Sequence, residues 1–313
     1  MHGEERPGRA RPLLVHGVDR TMLKRAMVVA SLAVLVSDPI SASSFSARYQ
    51  REGTVIGRQR SYLVKTDESL PEIARQYDLG FGAITAANPG VDPFIPPPGR
   101  RIVLPTEWIL PDAPIRNGIV VNIAEMRLFV FSHDRSQIVT TFPIGIGDQG
   151  KETPVGTFTV IEKIRNPAWH VPISIRKERP DLPAVVPPGP DNPMGSHALR
   201  LSKPTVLIHG TNRPWGIGAR VSHGCIRLYQ EDIARLFGMI RRGTPVFIVN
   251  QPVKAADRGG RVFLEVHDNG DGRDLYGEAL KVLEAKNLTG RVDLRKIRKA
   301  SLERKGLLVD VSK

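Results

Sequence analysis

Three textures of apolar and polar residues follow one another along this chain. Residues 26–36 (AMVVASLAVLV) form an apolar run behind Lys24 and Arg25, with mostly small residues over 41–47. Charged, then apolar, then small is the order of a secretory signal, and the run is too short to span a bilayer. Residues 22–47 are therefore expected to be a signal peptide or, if uncleaved, a short anchor. Met22 would make the tidier start, and both Ser43 and Ser46 follow a small residue at the offset that cleavage needs. Residues 48–59 are polar and read as a linker. Beyond them Tyr62-Leu63-Val64 has strand character. Leu70, Ile73 and Ala74 then recur at helical spacing behind Ser69, a good N-cap. A second short helix fits 81–88, closed by Pro89-Gly90, and 101–104 (RIVL) reads as a closing strand. Residues 60–106 thus predict a small βααβ unit, limited in the core it can bury by itself.

From Asn117 the pattern turns to β. Residues 118–123, 127–132, 137–143, 157–161, 205–209 and 244–249 read as strands joined mostly by short connections. One helix interrupts them at 230–240, where Ile233, Leu236, Phe237 and Ile240 share a face. A largely antiparallel, mainly β domain over 115–253 follows. Between its strands, residues 163–193 carry prolines at 167, 172, 180, 183, 187, 188, 190 and 193, too many for regular pairing. Interleaved Trp169, Val171, Ile173, Ile175, Leu182, Val185 and Val186 favour a packed lid over a disordered insertion. Residues 254–313 are polar and basic, with a helix predicted over 275–285, and read as an accessory extension.

Composition adds two constraints. A net charge of +13 and a pI near 10.2 suit anionic surroundings such as a polymer or a membrane surface. The excess is spread along the chain, and no zinc-finger, RNA-binding or helix-turn-helix signature goes with it, so no nucleic-acid partner is expected. The single cysteine, Cys225, cannot form an internal disulfide. In an exported chain a lone thiol calls for an explanation. It lies far from the apolar run, which excludes a lipid-modified cysteine there.

Chemistry offers that explanation. An apolar strand (TVLI, 205–208) delivers His209 to a strand end, followed by Gly210. A glycine-rich stretch leads to Ser222-His223-Gly224-Cys225-Ile226-Arg227. A free thiol is mostly protonated at neutral pH, so a neighbouring imidazole that takes its proton makes it a nucleophile, ideally as an ion pair. Cys225 is read as nucleophile and His209 as its base. Gly224 is expected to let backbone N–H groups reach an oxyanion. If the chain is extended, His223 and Arg227 share the face of Cys225. His223 would then support the thiolate or oxyanion, and Arg227 would grip a carboxylate. Gly210 and Ser222 are assigned with Arg227 to substrate contact. A zinc site built from His209, His223 and Cys225 is the alternative, but no further ligand sits nearby at suitable spacing. No metal or cofactor is expected.

The stretch 208–228 (IHGTNRPWGIGARVSHGCIRL) resembles the signature of the L,D-transpeptidase, or YkuD-like, catalytic domain. The flanking runs VVNIAEMRLFVF, FPIGIGDQGKETPVGTF, NPAWHVPISIR and LPAVVPPGPDNPMGSHALRL resemble its enterobacterial-type branch. The unit at 60–106 resembles a LysM module through Tyr62-Leu63-Val64, Leu70…Ile73-Ala74…Tyr77, Ala87-Asn88-Pro89-Gly90 and Ile102-Val103-Leu104-Pro105. The resemblance implies an antiparallel β-sandwich catalytic domain with one helix, in the periplasm at the cell wall. It also implies Cys225 as nucleophile and His209 as base, oriented through the backbone beyond Gly210. The implied donor is a peptidoglycan stem peptide, the implied acceptor another stem or the lysine of an outer-membrane lipoprotein, and the LysM-like unit implies glycan strands as partners. L,D-carboxypeptidase activity, or a wall-binding protein without catalysis, are the other readings.

Two motif matches are set aside. Residues 145–150 satisfy the dinucleotide string G-x-G-x-x-G, but Pro154 and Gly156 stand where a helix should open. Residues 268–274 are rich in aspartate, yet Gly270, Gly272 and Arg273 leave the EF-hand pattern unfilled.

Overall fold

The computed structural model describes residues 47–50, 54–114, 117–132, 137–268 and 270–313. The predicted signal at 22–47 lies outside the described residues except for Ala47. The segment expected to be a linker holds two strands, β1 (Ala47–Gln50) and β2 (Val55–Gly57). After β3 (Arg60–Leu63) come α1 (Leu70–Gln76), α2 (Phe81–Ala87), β4 (Arg101–Leu104) and β5 (Glu107–Ile109). Ser69 caps α1 in a reciprocal box with Glu72, which holds two of the orphan N–H groups of the first turn. β3 pairs with β4, and β2 with β5. β2 was hidden because Val55 and Ile56 stand among glycine, arginine and glutamine, and their pairing partner lies far ahead in sequence.

The next strands are β6 (Gly118–Asn122), β7 (Arg127–Phe131), β8 (Ile138–Pro143), β9 (Ile146–Gly147) and β10 (Gly156–Arg165). The proline-rich segment contains β11 (Trp169–His170), α3 (Ile173–Glu178) and β12 (Val185–Val186). Then follow β13 (His197–Leu201), β14 (Leu207–His209), β15 (Arg220–Ser222), β16 (Ile226–Arg227), α4 (Gln230–Met239) and β17 (Pro245–Val249). Proline does not preclude all pairing in the lid: β11 and β12, lying between the prolines, pair antiparallel. Nor is α4 the only helix here, since α3 occupies a proline-free stretch between Pro172 and Pro180.

The chain is mainly β with few helices. The expectation of an antiparallel sandwich needs correction, because nine strands join in one mixed sheet of order β1-β8-β7-β6-β17-β10-β13-β14-β16. Two pairs in it, β6 with β17 and β14 with β16, are parallel. Parallel neighbours need a long crossover rather than a hairpin, and the chain between β6 and β17 supplies one.

Both faces of this sheet are covered. Alternate residues of β6 and β7 enter different cores. Ile119, Val121, Leu128 and Val130 pack with Ile233, Leu236 and Phe237 of α4. Val120, Phe129 and Phe131 pack with Leu70, Ile73, Leu79 and Ile84 of the βααβ unit. Strands buried on both faces have no polar side to show, hence the unbroken apolar runs IVV and LFVF.

Residues past 250 are folded, not a loose tail. β18 (Val253–Arg258), β19 (Arg261–His267), α5 (Leu275–Ala285), α6 (Leu294–Glu303) and β20 (Lys305–Asp310) form a three-stranded sheet with two helices. They enclose their own core, including Leu264, Ala279, Leu283 and Ile297. The high lysine and arginine content conceals it, because the charges lie on the outer faces while small clusters of aliphatics point inward. Among the described residues, no helix is long and apolar enough to cross a membrane.

Candidate active site

β14 and β16 lie side by side and in parallel, with Ile208 opposite Ile226 and His209 opposite Arg227. Both isoleucines are fully buried in the sheet core. Side chains alternate along a strand, so His209 and Arg227 face away from that core, and Cys225, one step before Ile226, turns the same way. Strand parity alone therefore gathers an imidazole, a guanidinium and a thiol.

His209 is 4% exposed. Its Nδ1 lies 2.6 Å from the Gly210 carbonyl oxygen. A carbonyl only accepts, so Nδ1 carries the proton and Nε2 keeps its lone pair. Burial pushes the His209 pKa down to about 4, aided by the Arg227 cation and opposed by the carbonyls of Gly210 and Met194. Burial also raises the Cys225 thiol above its usual value, against the Leu207 backbone and Arg227. The thiol donates to the Thr205 carbonyl at 3.7 Å, not to His209. Both shifts favour the neutral thiol and the neutral imidazole over their charged forms.

The other residues singled out from sequence have local hydrogen-bond partners. The hydroxyl of Ser222 donates to the Cys225 carbonyl at 2.6 Å and accepts from Gly224 N–H at 3.2 Å. The Ser222 hydroxyl and the Gly224 N–H are thus engaged with each other inside the turn. Gly224 has φ of +99°, a conformation that glycine adopts at little cost. That turn breaks the extended chain assumed for His223. Its ring is rotated outward, with Nε2 2.7 Å from Lys151 Nζ and 3.2 Å from Glu178 Oε2. Lys151 itself bonds Glu178 at 2.7 Å, so the turn before Cys225 is clasped to α3 of the lid. The Gly210 carbonyl accepts from His209 Nδ1.

Arg227 lies opposite His209 across the paired strands. Its Nε is buried without a hydrogen-bond partner, and burial, with help from nearby Arg213, lowers its pKa. A buried cationic donor left unpaired is costly, and an anion placed there would relieve it. Lys151, Glu178, Thr205 and Arg213 were not singled out from sequence. Each is a common residue type at no diagnostic spacing, and only the fold brings it to the site.

The two set-aside motifs are turns. Lys151 N–H closes on the Asp148 carbonyl at 2.9 Å and the chain proceeds to β10, not to a helix. Asp268 pairs with Arg304, Asp271 with Arg273, and Asp274 caps α5. Elsewhere Glu125, Glu265 and His267 have ligand-like spacing. The ammonium of Lys254 already stands among them, 2.9 Å from Glu125 and 3.1 Å from Glu265.

A mainly β scaffold carrying this thiol, imidazole and guanidinium has the makings of an acyl-transferring enzyme, and comparison with known proteins agrees. The L,D-transpeptidase catalytic domain model (YkuD) matches residues 116–248 and the LysM domain model residues 62–105. The chain is 46% identical over 223 residues to the "Probable L,D-transpeptidase YcfS" of Escherichia coli (strain K12), covering 68% of this chain and 69% of that one. It is 40% identical over 254 residues to the "Probable L,D-transpeptidase ErfK/SrfK" of the same organism, covering 79% and 81%. It also resembles the solved L,D-transpeptidase from Mycobacterium smegmatis, at 23% identity and a TM-score of 0.35, covering 48% and 63%. The chain belongs to the L,D-transpeptidase family, and is an acyltransferase of that family with a LysM domain ahead of its catalytic domain.

Proposed function

We propose that the enzyme acts on peptidoglycan, cutting the tetrapeptide stem between its third residue, diaminopimelate, and the terminal D-alanine. Cys225 Sγ attacks the amide carbonyl carbon as His209 Nε2 takes the thiol proton. The C–N bond breaks, His209 returns the proton to the departing amine of D-alanine, and a thioester remains. An acceptor amine then attacks the thioester, passing its proton through His209 as the thiolate leaves. The acceptor is another stem or a lipoprotein lysine. Arg227 serves the donor by meeting its carboxylate. The observation that carries this reading is the alignment of Cys225, His209 and Arg227 on one strand face, with an unpaired guanidinium nitrogen buried beside the thiol.

The raised thiol and lowered imidazole pKa values support proton transfer in step with attack rather than before it. We assign Gly210 to holding the His209 tautomer and Ser222 with Gly224 to shaping the nucleophile turn. His223 acts through the lid clasp rather than at the oxyanion. The LysM domain supports glycan strands as the second partner, and action at the cell wall in the periplasm follows from both. Incubating purified tetrapeptide muropeptide with the enzyme should release D-alanine and yield joined stems by mass. Release by Cys225→Ala would overturn the assignment of the nucleophile, and trimmed but unjoined stems would make the enzyme an L,D-carboxypeptidase.

A further inference from the structure

The LysM domain touches the catalytic loop directly. At the start of α2, Phe81 N–H donates to the Ile217 carbonyl at 2.9 Å and Gly82 N–H to the Gly218 carbonyl at 3.1 Å. Residues 217 and 218 belong to the segment that joins His209 to Cys225. The approach is as close as backbones allow. A Cβ on Gly80 would stand 2.7 Å from Gly218 Cα, and one on Gly82 would stand 2.7 Å from the Gly218 oxygen. Gly218 itself has φ of +87°, and a Cβ there would lie 2.3 Å from Phe81 N. Glycines are required on both sides of the contact.

From that contact a continuous set of backbone hydrogen bonds runs to the nucleophile. Gly218 N–H donates to the Ile144 carbonyl at 2.9 Å, and Ile146 N–H to the Ala219 carbonyl at 3.1 Å. Between them Gly145 exchanges two hydrogen bonds with Arg227, each of 2.9 Å. Arg227 stands two residues from Cys225 and opposite His209. An Arg75–Glu231 ion pair at 2.8 Å and the Arg127 guanidinium on the Asp78 carbonyl at 2.7 Å brace the same junction from either side.

We propose that Gly80, Gly82 and Gly218 are positioning residues for acyl transfer: through them the LysM domain sets the conformation of the loop that carries the nucleophile. The domain that meets the glycan is thereby part of the frame that aims the thiol, so its place on the wall and the register of the active site are fixed together. Misplacement of reacting groups by about 1 Å can cost on the order of a hundredfold in rate, which makes so tight a contact consequential.

This inference rests on Cys225 being the nucleophile, and the experiment separates the two. Gly82→Ala in the full chain adds one methyl group against the Gly218 oxygen, at a helical position where alanine is otherwise the better helix former. Acylation of Cys225 by a carbapenem would be followed by stopped-flow and mass spectrometry. The expected result, measured well below the melting temperature of the variant, is a maximal acylation rate at least tenfold lower with the half-saturating concentration within twofold. A maximal rate within twofold of the unmodified chain overturns the inference. Should Gly82→Ala not fold, Arg75→Ala loosens the same contact without a clash, and is expected to lower the maximal rate at least twofold; no change overturns the inference equally. If the unmodified chain forms no adduct at Cys225, it is the assignment of the nucleophile that fails.

Discussion

Burying an imidazole makes it a weaker base but keeps it neutral over a wider range of pH, and His209 illustrates the exchange. With its pKa held near 4, it can accept the thiol proton well below the pH at which an exposed histidine would be charged. The acid limb of the acylation rate should therefore fall through about pH 4, not through the ordinary range near 6.5, and His209→Gln should lower the rate by roughly 10²–10⁴-fold. A pH profile breaking near 6.5 would contradict the buried environment. The same burial affects stability. Between about 6.5 and about 4 the unfolded chain binds a proton that folded His209 does not, so stability is lost as pH falls through that window and levels below it. At this scale the placement of His209 and Arg227 on neighbouring strand ends, with Cys225 just ahead, was legible in the sequence, because alternation along a strand fixes which way each residue faces. The local geometry of His223, Gly224 and Ser222 was not. One residue at positive φ reverses the geometry that extended spacing assumes, and the Ser222 hydroxyl closes the turn instead of facing out.

Among the elements, the lid is where prolines misled and chemistry was hidden. Proline density correctly marked residues 163–193 as irregular, but paired β11 and β12 and the short α3 fit between the prolines. α3 brings Glu178 to Lys151 and His223, and this clasp joins the lid to the turn before the nucleophile. All three groups are partly exposed, so the clasp contributes modestly, within the range of about 0–1 kcal/mol for surface pairs. Glu178→Gln should accordingly leave the melting temperature nearly unchanged while speeding amide exchange in residues 169–186 severalfold. Unchanged exchange would show that the lid is held by its other contacts. Helix α4 was plain in the sequence, since four apolar residues repeat on one face. β13 was missed because its five residues sit between a proline-rich run and a turn, with one pairing partner, β10, on the far side of that run and the other, β14, just beyond the turn.

For the whole molecule, the βααβ unit and the residues past 250 are built into the enzyme rather than strung from it. The sheet presents one face to α4 and the other to the LysM domain. Lys254 of β18 ties the C-terminal sheet to both. Its ammonium, 2% exposed, meets Glu125 beside the catalytic sheet, Glu265 of β19 and the Ile109 carbonyl of β5. Removing it would leave two buried carboxylates without the ammonium between them, so Lys254→Ala should cost about 3–5 kcal/mol in urea unfolding, and a loss below 1 kcal/mol would contradict so buried a network. No sequence pattern announced this junction, because its members come from three separate stretches of chain. The account depends above all on Cys225 being the acyl-accepting atom. Intact-protein mass spectrometry after incubation with a carbapenem tests this most directly. One adduct per chain, of the mass of the intact β-lactam and mapped to the Cys225 peptide, is predicted, with none on Cys225→Ala. An unmodified wild-type chain, or an adduct of equal yield on Cys225→Ala, would contradict it.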